Sequence, residues 1–368
     1  MELIIDKIDL QNLLKKAISA TEKKSALPIL SNFLLEAKND KLIVQGTDLE
    51  VHVSVSVFAK VEKEGVACVN AKKLTDISRL LPSNEVYIKI EDNTLKIKSG
   101  KTKYNLPIAS YEDFPMMYPF PEDNAFVISG DEVQKGISKT GYATSKEESR
   151  YALQGVLFKS LNGSLDLVAT DGHRLALYTI NRNGTGEVEI IVPQKALNEL
   201  KKLLTGVEDI EMAATEQYVF FRTKEWILMS RLLEGAFPDY TKVIPSEFSI
   251  GIKVDKKDFV EAVKRTTAVV EGDPKPVKIT LKNNVMQMRA FSSEFGEAID
   301  EIEVDYSINQ PEDEFTIGFN GRYLIEAVEV IDEEKIEIKF TSPNAQTLII
   351  PLDEKDSYKA IVMPMEIA

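Results

Sequence analysis

Two stretches of this chain hold residue types that could do chemistry. The first is Leu167-Val-Ala-Thr-Asp-Gly-His-Arg-Leu-Ala-Leu177. There an apolar run is broken by the turn signal Asp171-Gly172, and His173-Arg174 follow at once. An imidazole beside a carboxylate can act as a general base with its orienting partner, with His173 as base and Asp171 as orienter. That reading lacks a nucleophile, and a hairpin turn with two exposed polar residues is the alternative. The second stretch is Ile361-Val-Met-Pro-Met365, apolar and close to the end of the chain. Its two thioethers suit docking of varied peptides, and it also reads as a last strand closing a sheet. Other candidates are weaker. Gly100-Lys101-Thr102 lacks the earlier glycine of a phosphate-binding loop, because position 95 is Leu95, and it ends a hairpin strand instead of opening a helix. Cys68 sits in the apolar run VACVN and reads as a packing residue. His52 alternates with valines in VHVSVSV, which places it on the polar face of a strand. Two histidines and one cysteine leave little room for zinc, and no cofactor is called for.

The elements that must position these residues recur three times. V69-NAKKLTDISRLL, V192-PQKALNELKKLL and F319-NGRYLIEAVEVI each run from a strand end into an amphipathic helix. Apolar positions match throughout: Leu74, Leu197 and Leu324; Ile77, Leu200 and Ala327; Leu80, Leu203 and Val330. The copies lie 123 and 127 residues apart, too far for a short-repeat solenoid, so they mark three copies of one domain. A second helix opens each third, at Leu14-KKAI, Val133-QKGI and Phe259-VEAV, with Asp9, Ser129 and Asp255 available as caps. Period-2 hairpins follow the helices, clearest in residues 86–100 around Asp92-Asn93. Proline-rich segments 111–124 and 231–248 read as linkers. The expected fold class is α+β: three repeated two-layer domains, each with two helices on antiparallel sheet, spanning 1–122, 123–247 and 248–368.

Bulk composition is that of an ordinary globular protein, 43% hydrophobic and 28% charged. No apolar run approaches the roughly 20 residues that span a bilayer, and the N-terminus lacks a basic signal region. With one cysteine no internal disulfide can form, which fits a cytoplasmic setting. The net charge of −14 hides a segregation. Helices expected at 10–21, 71–81, 130–140, 194–205, 256–267 and 321–331 carry 15 Lys and Arg against 8 Asp and Glu, which leaves −21 on the rest. Such helices are either merely lysine-rich surface or one shared face that meets phosphate. The last helix departs from the pattern, with Arg322 against Glu326 and Glu329 and with Asp332-Glu333-Glu334 behind it.

LPILSNFLL (27–35), GTDLE (46–50), VATDGHRLA (168–176), FPDY (237–240), IGFN (317–320) and VMPM (362–365) together resemble the bacterial sliding clamps, the beta subunits of DNA polymerase III. The resemblance covers the whole length. It implies the DNA-clamp fold, closed as a ring by a head-to-tail homodimer that encircles duplex DNA without sequence preference. It implies a processivity factor with no catalysis of its own, acting in the cytoplasm at the nucleoid and with no membrane. The replicative polymerase, the clamp loader and repair proteins would dock through short clamp-binding peptides.

Carried over residue by residue, the peptide pocket between the second and third domains would comprise Leu153, Thr170, Gly172, His173, Arg174, Leu175, Pro238, Lys242, Val243, Asn320, Tyr323, Ile361, Met363, Pro364 and Met365. Apolar walls would take a partner's Leu or Phe, with His173 and Arg174 at the rim. Lys242 stands where the family often has arginine, which loses a planar bidentate contact. Lys72, Lys73, Arg79, Arg150, Tyr151 and Lys195 would face DNA, touching phosphates only. Ile77, Tyr104 and Leu106 would meet Val269 and Val270 at the subunit interface. The rivals are an enzyme built on Asp171 and His173, and a peptide scaffold that does not bind DNA.

Overall fold

The computed structural model describes residues 1–22, 27–161, 163–181, 186–352 and 357–367. Six α-helices are found among them: α1 Lys7–Ala17, α2 Ala71–Leu80, α3 Gly130–Thr140, α4 Gln194–Leu203, α5 Lys256–Thr266 and α6 Gly321–Glu329. Five begin where the sequence places them. The first begins earlier, because strand Glu2–Asp6 runs straight into it and Asp6, not Asp9, accepts the first-turn N–H of Ile8. Asp255 caps α5 as expected, accepting from Lys257 and Asp258. Asn70 and Asn320 cap α2 and α6 in the same way.

The repeated apolar positions do bury a core, with one shift. Leu74, Leu197 and Leu324 are buried, as are Leu200 and Ala327. Leu203 is buried too, but Leu80 is 70% exposed and Val330 half-buried, and the row buried in all three copies at the helix ends is Leu81, Leu204 and Ile331. The helix stops one residue sooner than its pattern suggests, and the next side chain turns inward. Hairpin Glu85–Glu91 with Thr94–Ser99 turns at Asp92 and Asn93, both at positive φ, which suits the right-handed twist of its strands. Gly100, also at positive φ, is a turn residue between two strands, so Gly100-Lys101-Thr102 cradles nothing.

The three repeats form two compact units, residues 1–134 with 195–232 and residues 135–194 with 233–368. The reason lies in the ladders. Strand Val51–Phe58 of the first repeat pairs with Trp226–Arg231 of the second, making one eight-stranded antiparallel sheet. In the other unit, Arg174–Asn181 pairs with Tyr358–Val362, making a nine-stranded sheet. Each unit also has a smaller sheet of five or four strands. One edge of each is the strand Thr102–Pro107 or Gly296–Glu303 respectively, laddered on one side only among the described residues. In the first unit α1 packs on α2, and in the second α5 packs on α6.

His52 is not on a polar face. It is 2% exposed, with Nε2 3.0 Å from Gln45 Oε1 and its ring edge-on to Phe114. Burial pushes its pKa down to about 4, against the partial support of Asp48. Cys68 is fully buried, and burial pushes its thiol up to about 11, which makes it inert at neutral pH. The histidine has a pH signature. Between pH 6.5 and 4 the unfolded chain binds a proton at His52 that the fold refuses, so stability falls as pH falls through that window. The shift corresponds to about 3 kcal/mol by pH 4. Urea titrations from pH 7 to 4 should show His52→Gln losing less stability on acidification than the wild type; parallel acid limbs would refute the assignment.

Candidate functional site

The site is built around the turn between strands Ser164–Thr170 and Arg174–Asn181. Thr170 Oγ1 donates to the Arg174 carbonyl at 2.7 Å and accepts from Gly172 N at 3.1 Å. Asp171 Oδ1 accepts from the backbone N–H of His173 at 2.9 Å and of Arg174 at 3.1 Å. Gly172 has φ +88°, and a Cβ there would come within 2.8 Å of Arg150 Nη1. Glycine adopts this left-handed backbone without strain, and a side chain here would displace the end of Arg150. The Asp171 carboxylate spends both oxygens on this turn and on Arg174, and none reaches the His173 ring. The Asp–His general-base arrangement is absent.

Arg174 is the correction that matters most. It was expected at the rim but is only 6% exposed. Its Nε donates to Asp171 Oδ2 at 3.1 Å, Nη2 donates to the Tyr142 carbonyl at 2.8 Å, and Nη1 donates to Glu326 on α6. The guanidinium lies over Tyr323, 4.4 Å from its centroid, and 5.2 Å from that of Tyr142. Burial opposes its charge, yet the hydrogen bond to Glu326 and the charges of Glu326 and Asp171 outweigh that and raise its pKa. Tyr142 Oη meets Tyr358 Oη at 2.7 Å, and burial pushes the Tyr142 phenol up. The acidic face of α6 is explained in part by these contacts. Glu326 neutralises Arg174, Glu329 pairs with Lys264 at 2.6 Å, and Asp332 pairs with the buried Lys139 at 3.3 Å.

His173 itself is exposed, its ring nearly parallel to Tyr323 at 6.4 Å. Together they line a cavity of about 370 Å³ with Asp273, Pro274, Asn320, Met363, Pro364 and Met365. Asn320 is fixed by its cap: Oδ1 accepts from Arg322 N and Lys275 N, and Nδ2 donates to Asp273 Oδ1 at 3.1 Å. The tail is laid down by backbone bonds, Met363 N to the His173 carbonyl and Met365 N to the Gly318 carbonyl, both 2.9 Å. A Cβ at Gly318 would come within 2.6 Å of Met365 O and of Ile367, so the tail lies flat only over glycine. Beside this cavity Leu175 and Ile361, paired across the ladder, join Leu157, Val168, Leu177, Ile191, Tyr240 and Leu348 in one apolar cluster. Phe237, Val243 and Ile244 pack on its edge.

Of the expected pocket residues, His173, Asn320, Tyr323, Met363, Pro364 and Met365 line the cavity, and Leu175, Val243 and Ile361 belong to the adjoining cluster. Thr170, Gly172 and Arg174 form the framework behind them. Leu153, Pro238 and Lys242 do not line the cavity. Leu153 is half-buried, and its carbonyl accepts from Ser145; Pro238 is exposed; Lys242 is exposed and pairs with Asp239 at 3.0 Å. The sequence reading missed Tyr142, Asp273, Pro274 and Glu326, which had no local signal. It also missed Leu177, which period-2 alternation from Leu175 could have supplied.

Two cations expected at DNA already have partners at hydrogen-bond distance. Arg150 donates from Nη1 to the Asp171 carbonyl and pairs through Nε with Glu147 at 2.9 Å. Lys195 Nζ lies 2.7 Å from Asp48 Oδ2 and 2.9 Å from Glu50 Oε2. Lys72, Lys73 and Arg79 are exposed on α2, Arg79 3.8 Å from Asp76, and Tyr151 is exposed. Ile77, Tyr104, Leu106, Val269 and Val270 are all half-buried, Tyr104 and Leu106 on the edge strand Thr102–Pro107. Among the described residues no group of three His, Cys, Asp or Glu could hold a metal, and no helix is long and apolar enough to cross a membrane.

Comparison with known proteins shows the family of the chain. Family models match end to end: DNA polymerase III beta subunit N-terminal domain at residues 1–118, central domain at 127–239 and C-terminal domain at 241–366. The chain is 32% identical to the beta sliding clamp of Caulobacter vibrioides over 378 residues, covering all of both chains. It is 31% identical to that of Pseudomonas aeruginosa, covering 96% of each. A crystal structure of the Pseudomonas aeruginosa DNA polymerase sliding clamp with ligand superposes with a TM-score of 0.94 at 30% identity over the whole of both chains. Another, bound to griselimycin, gives 0.93 at 30% identity, again with full coverage. The chain belongs to the DNA polymerase III beta-subunit family, the sliding clamps, which are non-catalytic processivity factors.

Proposed function

We propose that two copies of this chain close head to tail into a ring around duplex DNA, and that proteins working on DNA are held to it through the His173–Tyr323 cavity and the Leu175–Ile361 cluster. One observation carries the reading. An exposed, partly apolar cavity with two thioethers lies next along the ladder to a buried apolar cluster whose accessible edge is Phe237, Val243 and Ile244, and buried Arg174 stands in the chain between His173 and Leu175. Such a surface suits a short extended peptide with a Leu or Phe anchor. The replicative polymerase, the clamp loader and repair proteins are the partners we assign to it. The ring works in the cytoplasm, where the chromosome is. We keep the domains at 1–122, 123–247 and 248–368; three matched family segments favour three domains, the third segment beginning at residue 241.

Ring closure rests on the edges. Thr102–Pro107 and Gly296–Glu303 each end a sheet unpaired, and an exposed edge calls for a partner or a block. Tyr104 and Leu106 on the first edge and Ile299, 55% exposed, on the second would supply apolar contact. Leu80 and Phe291, 70% and 65% exposed, would extend it, with Ile77, Val269 and Val270 alongside. A head-to-tail contact that closes on itself avoids filaments. Inside, the exposed Lys72, Lys73 and Arg79 would touch phosphates, with Tyr151 and Lys195 nearby.

Two experiments test this. In fluorescence anisotropy with a short Leu-Phe-containing peptide, His173→Ala and Tyr323→Ala should each weaken binding by about tenfold or more, about 1.4 kcal/mol each. Primer extension with polymerase and loader should lose processivity in step; unchanged affinity in both variants would move the pocket elsewhere. In sedimentation, Leu106→Asp combined with Ile299→Asp should give monomers with the far-ultraviolet circular dichroism of the wild type. An intact dimer would exclude this edge pairing.

A further inference from the structure

The turn that builds the site occurs a second time, in the other unit. Thr47 Oγ1 donates to the Val51 carbonyl at 2.9 Å and accepts from Leu49 N at 3.1 Å. Asp48 Oδ1 accepts from Glu50 N at 3.1 Å and Val51 N at 2.8 Å. Leu49 stands at φ +77°, where Gly172 stands at +88° in the other copy. Arg231 N donates to the Glu50 carbonyl as Met363 N does to that of His173. Bond for bond, Thr47–Val51 repeats Thr170–Arg174.

The side chains differ in a way that changes the use. Glu50 occupies the place of His173. The second oxygen of Asp48 is free of the turn and, unlike that of Asp171, is not spent on an arginine of its own strand. It meets Lys195, near the start of α4, at 2.7 Å, and Glu50 completes the clasp at 2.9 Å. The Asp48 side chain is 7% exposed and is held by two backbone bonds, while those of Lys195 and Glu50 are 52% and 67% exposed. One carboxylate is therefore fixed in advance, and the lysine is drawn to it with little further ordering.

We propose that this turn is an internal competitor for DNA phosphate: Asp48 and Glu50 hold Lys195, and the lysine reaches a phosphate only by giving up the clasp. The proposal rests on the reading that Lys195 lies beside the duplex. Passage of DNA then exchanges one anionic partner for another, with almost no net gain in ion pairing. A ring that must slide benefits, because phosphate contacts are what make a protein dwell on DNA.

The test is equilibrium binding of the dimeric protein to a fluorescent duplex of about 30 base pairs across a salt series, read as the slope of log affinity against log salt. Asp48→Asn with Glu50→Gln keeps the acceptors of the turn and removes both charges. The slope should steepen by about 0.9 for each Lys195 freed, and affinity at low salt should rise several-fold. Adding Lys195→Ala should abolish that gain, whereas Lys195→Ala alone should change the wild type little. Glu50→Gln alone, which leaves the Asp48 bonds untouched, should show the same trend at smaller size. Glu62→Gln with Glu91→Gln removes the same charge elsewhere and should leave the effect of Lys195→Ala as it is in the wild type. The proposal is overturned if Lys195→Ala costs the same with and without the clasp. If instead Lys72→Ala with Lys73→Ala leaves the slope unchanged, the reading of the DNA-facing surface is what fails.

Discussion

A buried guanidinium is the constraint on which the site depends. Arg174 cannot be left unpaired at 6% exposure, since an uncompensated buried charge costs about 3–5 kcal/mol. Its partners come from separate parts of the chain: Asp171 from its own turn, the Tyr142 carbonyl from the segment after α3, and Glu326 with Tyr323 from α6. Satisfying one charge therefore orients the turn, seats the helix and presents the Tyr323 ring to His173. Lysine could not replace it, because a point charge lacks the planar fork and the stacking face used here.

The ladders explain why three repeats make two units. Val51–Phe58 with Trp226–Arg231, and Arg174–Asn181 with Tyr358–Val362, join neighbouring repeats by continuous backbone hydrogen bonds. Both joints use the same turn at the same place. One carries a cavity that suits a partner; the other carries a lysine clasp. Architecture is shared among the copies, and side-chain identity divides the work.

Much of this was legible in the sequence because it is local. Hairpins, helix faces and caps follow from neighbours within a few residues, and Leu74, Leu197 and Leu324 all reached the core. The turn at Asp171-Gly172 and the Met363–Met365 tail stood out for the same reason. The failures are non-local. His52 looked polar by alternation, but Phe114 packs against its ring and Gln45 satisfies it. Arg174 looked like rim until Glu326, 152 residues away, supplied its counter-charge. Lys195 looked free until Asp48 and Glu50 came into view across a comparable gap. Tyr142 and Asp273 carry no pattern that one sequence could reveal.

The central claim is topological: the ring holds DNA by enclosing it, with weak contacts inside. The direct measurement loads the protein onto nicked circular DNA, isolates the complex, and follows retention before and after cutting the circle once. The account predicts stable retention on the closed circle and rapid loss from the linear form as the ring slides off its ends. Equal retention on circular and linear DNA would contradict it.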